Sequence, residues 1–429
     1  MTPDRLPPQT GLPSPAGPRP PADPSTELPS DRSARLTALI RAEIESSPER
    51  RITFARFMER ALYEPDLGYY GQPEDRPTDA GDFLTAPETH PIFGWTIARR
   101  IESMWSDLGG PAPFDLVEYG AGSGTLALSI LDGLRRHGAT DLLAIVRYEP
   151  IESNPNRLID LRDRFEKSGL AGLLATSSSG PPTWEPAAST AAVPVAGVIL
   201  ANEFLDALPV HRVVVRGGQL LELFVAWREG FVEVASEPST PELAGRLAGD
   251  GIVPDQLAEG QVGEICLGLA PWLDDVARRL ARGYVLAIDY GNEAAELYGP
   301  RRLAGTLLGY RGHHVQEDPF ANVGLTDLTA HVDFTALRLL GERRRLRSVA
   351  LTTQSEFLIA AGLESELQAL QVSSATTAAD YMRARSGIVR MLDPRHMGRF
   401  RVLTLARDVA PRQPAAEPST PEKAAATQL

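Results

Sequence analysis

A single cysteine in 429 residues, Cys266, leaves this chain without a disulfide framework or a thiolate metal cluster, and a reducing compartment fits that scarcity. Any apolar run near the ~20 residues needed to cross a bilayer is also missing, so no membrane insertion is expected. Positive charge is short: 43 Lys and Arg against 56 Asp and Glu give a formal net charge of −13. That balance opposes nucleic acid and anionic membranes, since phosphate attraction would have to be overcome, but it leaves a cationic substrate open. The N-terminal stretch has no apolar signal core, and its Asp4, Asp23 and Glu27 do not suit an acid-poor mitochondrial presequence. A cytoplasmic location is the expectation.

Ten prolines fall in the first 30 residues, and residues 1–32 read as a disordered proline-rich tail, as do residues 411–429 on similar composition. Between them, residues 33–112 form an N-terminal helical and covering region: 33–45 and 53–59 carry apolar residues at helical spacing, Thr53 is placed to cap the second helix, and 91–108 is helical. Strand candidates at 114–118, 143–148, 195–201 and 284–289 then alternate with helices at 125–136, 155–167 and 271–282. This is the pattern of a mostly parallel sheet covered on both faces, an α/β domain spanning 113–410. Within it, 210–216, 220–227 and 230–235 alternate like antiparallel strands, joined at Gly217-Gly218 and Glu229-Gly230, and mark a β insertion at about 209–265. An antiparallel pair at 345–352 and 399–407, around a helix at 354–361, closes the sheet.

The first strand of that domain runs through Glu118 into Gly120, Gly122 and Gly124, after which a helix starts at Thr125. Glycines at every second position let the backbone turn with positive φ and approach a ligand, with helix amides pointing at it. A dinucleotide turn wants Gly or Ala where Thr125 stands, so a nicotinamide oxidoreductase fits less well than an enzyme for a ligand lacking a pyrophosphate, such as S-adenosylmethionine. Glu149, 25 residues past Gly124, is the candidate for both ribose hydroxyls; the alternative is a solvated acid. Glu118 either meets a cofactor amino group or satisfies local backbone donors.

The strand at 195–201 empties into Asn202, Glu203 and Asp206, where ligands of open α/β sheets bind. Two carboxylates there suit a guanidinium held in line with a sulfonium methyl, with Asn202 adding amide groups; a helix cap and a solvated acid would read alike. Gly81, Asp82 and Thr85 form either a cover over the cofactor or an Asx-turn with a helix cap. His331 and Asp333, two apart, would share a strand face as base or as structural hydrogen bond. His313, His314 and Asp318 give little support for a metal, and none is expected.

Taken together, Gly81–Glu88, Glu118–Leu126, Asn202–His211, Ile288–Gly291 and Asp327–Phe334 resemble the MidA-type methyltransferase family over about residues 52–406. The resemblance implies a class I, Rossmann-like S-adenosyl-L-methionine-dependent methyltransferase with an N-terminal helical extension and an inserted antiparallel β element. It also implies methyl transfer to arginine of a protein substrate, for the mitochondrial branch in assembly of respiratory complex I; a homodimer is compatible with it. The family's Gly-Pro-Gly-Arg-Gly turn here has Ala121 and Ser123 in place of the proline and the arginine, so a nearby positive charge is missing from the turn. A cofactor-binding assembly protein with little catalysis, and a small-molecule methyltransferase, are the alternatives.

Overall fold

A computed structural model describes residues 29–72, 85–175, 178–179, 194–312 and 314–410. Gly81, Asp82, His313 and most of both expected tails lie outside the described residues. Helix α1 (Pro29–Ser46) starts ahead of the expected position, so residues 29–32 belong to it and not to a tail; a proline is tolerated in a first turn, where its missing N–H would have no partner anyway. Leu36, Ile40 and Ile44, four apart, are its buried stripe. Strand β1 (Arg51–Thr53) leads into α2 (Phe54–Tyr63), which Thr53 caps by accepting the Arg56 N–H at 3.1 Å. The short α3 (Ala86–Thr89) and the longer α4 (Ile92–Asp107) complete the N-terminal part.

The main sheet is then laid down by β2 (Phe114–Tyr119), β3 (Val146–Glu152), the two-residue β4 (Ser178–Ser179) and β5 (Val195–Asn202), with α5 (Thr125–Arg136) and α6 (Pro155–Lys167) between them. The expected insertion follows as β6 (His211–Arg216), β7 (Gln219–Trp227), β8 (Phe231–Ser236) and β9 (Val262–Ile265). It forms a second, antiparallel sheet, and β1, not expected as a strand, joins it by pairing Ile52 with Val225. The chain returns through α7 (Leu269–Arg279) and β10 (Leu280–Asp289), then α8 (Phe334–Arg343), β11 (Arg347–Thr353), α9 (Gln354–Ala360), α10 (Leu363–Val372), α11 (Ala378–Leu392) and β12 (Arg401–Arg407).

The main sheet has the order β11-β12-β10-β5-β2-β3-β4. Neighbours from β10 to β4 are parallel, and β12 runs antiparallel to both β10 and β11. Alternate residues face opposite cores: Leu116, Val198, Leu200, Leu286 and Ile288 join α4 and α5 on one side, while Val117, Tyr119, Ile199, Val285 and Ala287 join α7 and α8 on the other. Burial of both faces explains the near-continuous apolar strands. Two boundaries differ from the sequence reading. β3 runs from 146 to 152, because residues 140–143 form a helical turn. α7 stops at Arg279, because Leu280 already pairs with Val195 as sheet. α10 and α11 were not anticipated; Val372, Met382 and Val389 are exposed on them, so their apolar residues trace no clean stripe. No helix among the described residues is long and apolar enough to cross a membrane.

Candidate active site

After β2 the chain passes to β3 on one side and then to β5 on the other, which leaves a crevice at the carboxyl ends of β2 and β5. Gly120, Gly122 and Gly124 turn the chain there with φ of 68°, 53° and 78°. A Cβ on Gly124 would meet Leu161 at 2.9 Å and one on Gly120 would meet the Phe204 ring at 3.0 Å, whereas above Gly122 nothing lies nearer than 3.9 Å. The turn is therefore packed at its ends and open at its middle. Beneath it Glu118 is buried and accepts the Tyr148 hydroxyl at 2.5 Å. Burial pushes its carboxyl up to about 8, against the pull of the Tyr148 bond and with help from nearby Glu152.

The acid that meets the turn is Glu152, not Glu149. Glu152 ends β3 and accepts the N–H groups of Gly122 and Asn154, each at 2.9 Å. Glu149, three residues earlier, points to the opposite face of the strand, where Arg279 of α7 holds it at 2.9 Å. The expected spacing fell on Glu149 and not on the acid that meets the turn, because β3 continues past the point where the sequence reading ended it. Asn154 donates its side-chain amide to the carbonyls of Tyr70 and Gln72, both at 2.8 Å, and so ties the N-terminal part to this end of the crevice. Charge at the turn is restored from elsewhere. Arg164 of α6 donates to the Ser123 carbonyl at 3.0 Å, the Ser123 hydroxyl at 2.6 Å and the Thr125 hydroxyl at 2.9 Å.

Across the crevice, β5 ends in Asn202. Glu203 takes φ 49°, a left-handed conformation that non-glycine residues seldom adopt and that clusters at functional sites. Its Oε1 accepts the Ala86 N–H at 3.1 Å and the Asn202 amide at 3.4 Å. Burial pushes this carboxyl up to about 8, countered by the Ala86 bond and reinforced by Asp206 and Glu88. Asp206 accepts the Tyr290 hydroxyl, and burial raises its carboxyl to about 6. Asp289, at the end of β10, holds the loop in shape: one oxygen accepts the N–H groups of Phe204 at 3.2 Å, Leu205 at 2.9 Å and Asp206 at 3.3 Å, the other that of Tyr290 at 2.9 Å. Sequence reasoning quoted Asp289 and Tyr290 without giving them a task; an acid closing a buried apolar strand was the available signal.

Three buried oxygens in this loop, Asn202 Oδ1, Glu203 Oε2 and Asp206 Oδ1, have no hydrogen-bond partner among the described residues. The Asn202 oxygen can only accept, and the two carboxyls do so once ionised, so a group that meets all three as acceptors has to bring donors and favour the ionised acids. Thr85 takes the capping alternative: the Glu88 carboxylate accepts its N–H at 3.1 Å and its hydroxyl at 2.9 Å. His331 and Asp333 are not paired on a strand face. Asp333 caps α8 by accepting the Ala336 N–H at 3.0 Å, while His331 sets its ring against Tyr290 with centroids 5.6 Å apart. Burial pulls the imidazole down to about 4, with Arg302 and Arg399 adding to the shift. No cluster of three or more His, Cys, Asp or Glu side chains suited to a metal occurs among the described residues.

A doubly wound sheet with a glycine turn and an acid at the next strand end forms a crevice for a nucleoside cofactor, and the chain's relatives make it that of a class I S-adenosyl-L-methionine-dependent methyltransferase. The chain belongs to the Methyltransf_28 family of S-adenosyl-L-methionine-dependent methyltransferases, matched over residues 96–352. It is similar to a crystallised COG1565 superfamily member from Burkholderia thailandensis bound to S-adenosyl-homocysteine, with 30% identity, a TM-score of 0.77 and coverage of 91% of this chain and 96% of that one. Among curated relatives, "Protein arginine methyltransferase NDUFAF7, mitochondrial" of Danio rerio is 30% identical over 75% of this chain and 76% of its own. The Homo sapiens protein of the same name is 26% identical over 82% and 80%. These relatives are named mitochondrial, which overturns the cytoplasmic expectation; acidic residues near the N-terminus were too weak a ground for it.

Proposed function

We propose that the protein transfers the methyl group of S-adenosyl-L-methionine to a guanidino nitrogen of arginine in a protein substrate. The observation that carries this reading is the set of unpartnered acceptors at Asn202, Glu203 and Asp206, which ask for a cationic, donor-rich group beside the cofactor turn. The relatives named protein arginine methyltransferases support it. A subunit of respiratory complex I is the protein to look at first, on the resemblance seen in the sequence.

When bound, the cofactor supplies a methyl group already activated on a sulfonium. The residues present fit it: Gly120, Gly122 and Gly124 shape the turn, Glu118 lies under the turn for an amino group, and Glu152 takes the ribose role expected of Glu149. Glu203 and Asp206 orient the guanidinium by paired charge-assisted hydrogen bonds, and Asn202 accepts a further N–H. A positioned nucleophile needs little else against so good a leaving group. As nitrogen gains the methyl carbon, positive charge passes to the guanidino group, where the two carboxylates stabilise it in a site screened from water. The carbon–sulfur bond would break as the nitrogen–carbon bond forms, releasing neutral S-adenosyl-homocysteine, and the nitrogen would pass its extra proton to the adjoining carboxylate, which leaves a methylguanidinium.

Incubation with labelled S-adenosyl-L-methionine and host lysate, followed by mass spectrometry of labelled proteins, tests this. Label on arginine that disappears with Glu203→Gln, while cofactor binding persists, is the expected result. Label on another residue or on a small molecule refutes it, and biological activity unchanged by Glu203→Gln would assign the protein a scaffold role.

A further inference from the structure

The walls that hold the two acids meet at one exposed cation. Arg399 ends the 3-10 turn Met397–Arg399 between α11 and β12. On one side of it, the Met397 sulfur takes the hydroxyl of Thr89 at 4.0 Å, and Thr89 closes the short helix whose first amide holds Glu203. On the other side, the Phe400 ring lies 5.3 Å from that of Tyr290, whose hydroxyl holds Asp206. Among the described residues no carboxylate lies within ion-pair distance of the Arg399 guanidinium. Tyr290, which packs on the neighbouring Phe400, also packs on His331 with centroids 5.6 Å apart, and Arg399 helps to hold that imidazole neutral. Arg302 acts on His331 from a second direction but has Glu296 at 3.7 Å.

The site therefore has buried acids at its centre and an exposed arginine on the turn that joins its walls. A site built for a cation repels carboxylates, and so does a chain of net charge −13. A substrate with an acid close to its target arginine would be turned away unless a cation met that acid at the entrance. We infer that Arg399 is a specificity-determining residue that binds a carboxylate lying next to the guanidinium to be methylated. The inference rests on the arginine reading above and narrows its substrate class: the carboxylate belongs either to an acidic side chain flanking arginine in a protein or to the α-carboxylate of free arginine.

The test uses the full chain and labelled S-adenosyl-L-methionine with four probes: free L-arginine and three peptides with one arginine flanked by Asp, by Asn or by Lys. The enzymes are the natural protein, Arg399→Ala and Arg399→Glu. For the natural protein, KM is expected about fivefold lower for the Asp peptide than for the Asn peptide and highest for the Lys peptide, the scale of an exposed charge pair. Arg399→Ala should remove the preference for the Asp peptide and, with the acids then unopposed, tilt the order toward the Lys peptide, and Arg399→Glu should invert it fully; a merely structural defect would raise all three KM values alike. Free arginine used with the same dependence on Arg399 assigns the carboxylate to the amino acid, and its rejection beside an accepted Asp peptide assigns it to a protein segment. An order that is the same in the natural protein and Arg399→Glu overturns this inference alone. Label on none of the arginine probes, with label on another acceptor, overturns the arginine reading and this inference with it.

Discussion

Glu203 is a carboxyl kept out of water before its partner arrives, and that has a pH signature. With its carboxyl raised to about 8, it is mostly protonated at neutrality and has to ionise to grip a cation. KM for an arginine substrate should therefore fall as pH rises from about 6 to about 9, which initial rates of the natural protein decide, and calorimetric binding of an arginine peptide to the inactive Glu203→Gln should lack the gain in affinity that the natural protein shows over this range. The same group sets a stability trend of known sign. Between the ordinary value of 4.5 and about 8, the unfolded chain has lost this proton while the folded one keeps it, so stability declines as pH rises through that window. Glu203→Gln should match the natural protein near pH 4.5 and exceed it above pH 8 by a few kcal/mol at most, roughly 1.4 kcal/mol per pH unit of window. Denaturant melts at both pH values would show it. The two acids of β3 give a sharper contrast: Glu152→Gln should weaken cofactor binding at least about tenfold, a loss of ~1.4 kcal/mol, while Glu149→Gln should leave it within about twofold. Calorimetry with S-adenosyl-homocysteine separates them, and equal effects would return the ribose role to dispute.

Among the elements, the loop after β5 and the end of β10 act as one unit. Asp289 is fully buried and accepts four backbone N–H groups, three of them from the loop that presents Glu203 and Asp206. Asp289→Ala would strand those donors, each at a cost of ~1–3 kcal/mol, so destabilisation of at least about 3 kcal/mol and loss of methylation are expected together. A variant that melts normally would mean that the loop keeps its shape without this carboxylate. Local chemistry made many of these elements readable in the sequence. Thr53 announced the start of α2, glycines at alternate positions announced the turn before α5, and apolar runs announced β2, β5 and β10. Glu152 was not readable in the same way, since one helical turn read as strand shifted the end of β3 and so the acid chosen. Arg164 was hidden as well, because a guanidinium that reaches the turn from α6 leaves no trace in the turn's own residues.

Across the whole molecule, α9, α10 and α11 form a C-terminal helical cap of which the sequence reading anticipated only α9, and one buried carboxylate fastens part of it. Glu366 of α10 receives Arg99 of α4 and His137 at the end of α5. Burial alone would raise this acid, but the bonds from His137 and Arg99 bring it below 4.5, so its contribution is present above that pH and fades as the medium becomes more acidic. Glu366→Ala should open α10 and α11 to limited proteolysis before the sheet melts, and cleavage in this region no earlier than in the natural protein would count against the clasp. Fold class was legible because burial of both sheet faces writes itself into every central strand. The placement of the cap was not, since charged pairs between distant helices carry no local pattern.

The hold that Asp289 keeps on residues 204–206 also orders events during synthesis. More than 80 residues, including all four strands of the insertion, leave the ribosome between the loop and the carboxylate that shapes it. A nascent chain can complete the glycine turn and the acid of β3 early, yet its acceptor pocket stays unfinished until β10 slots in beside β5. The growing polypeptide is thus built to acquire its donor side first and its reactivity toward a substrate only when the sheet is nearly whole.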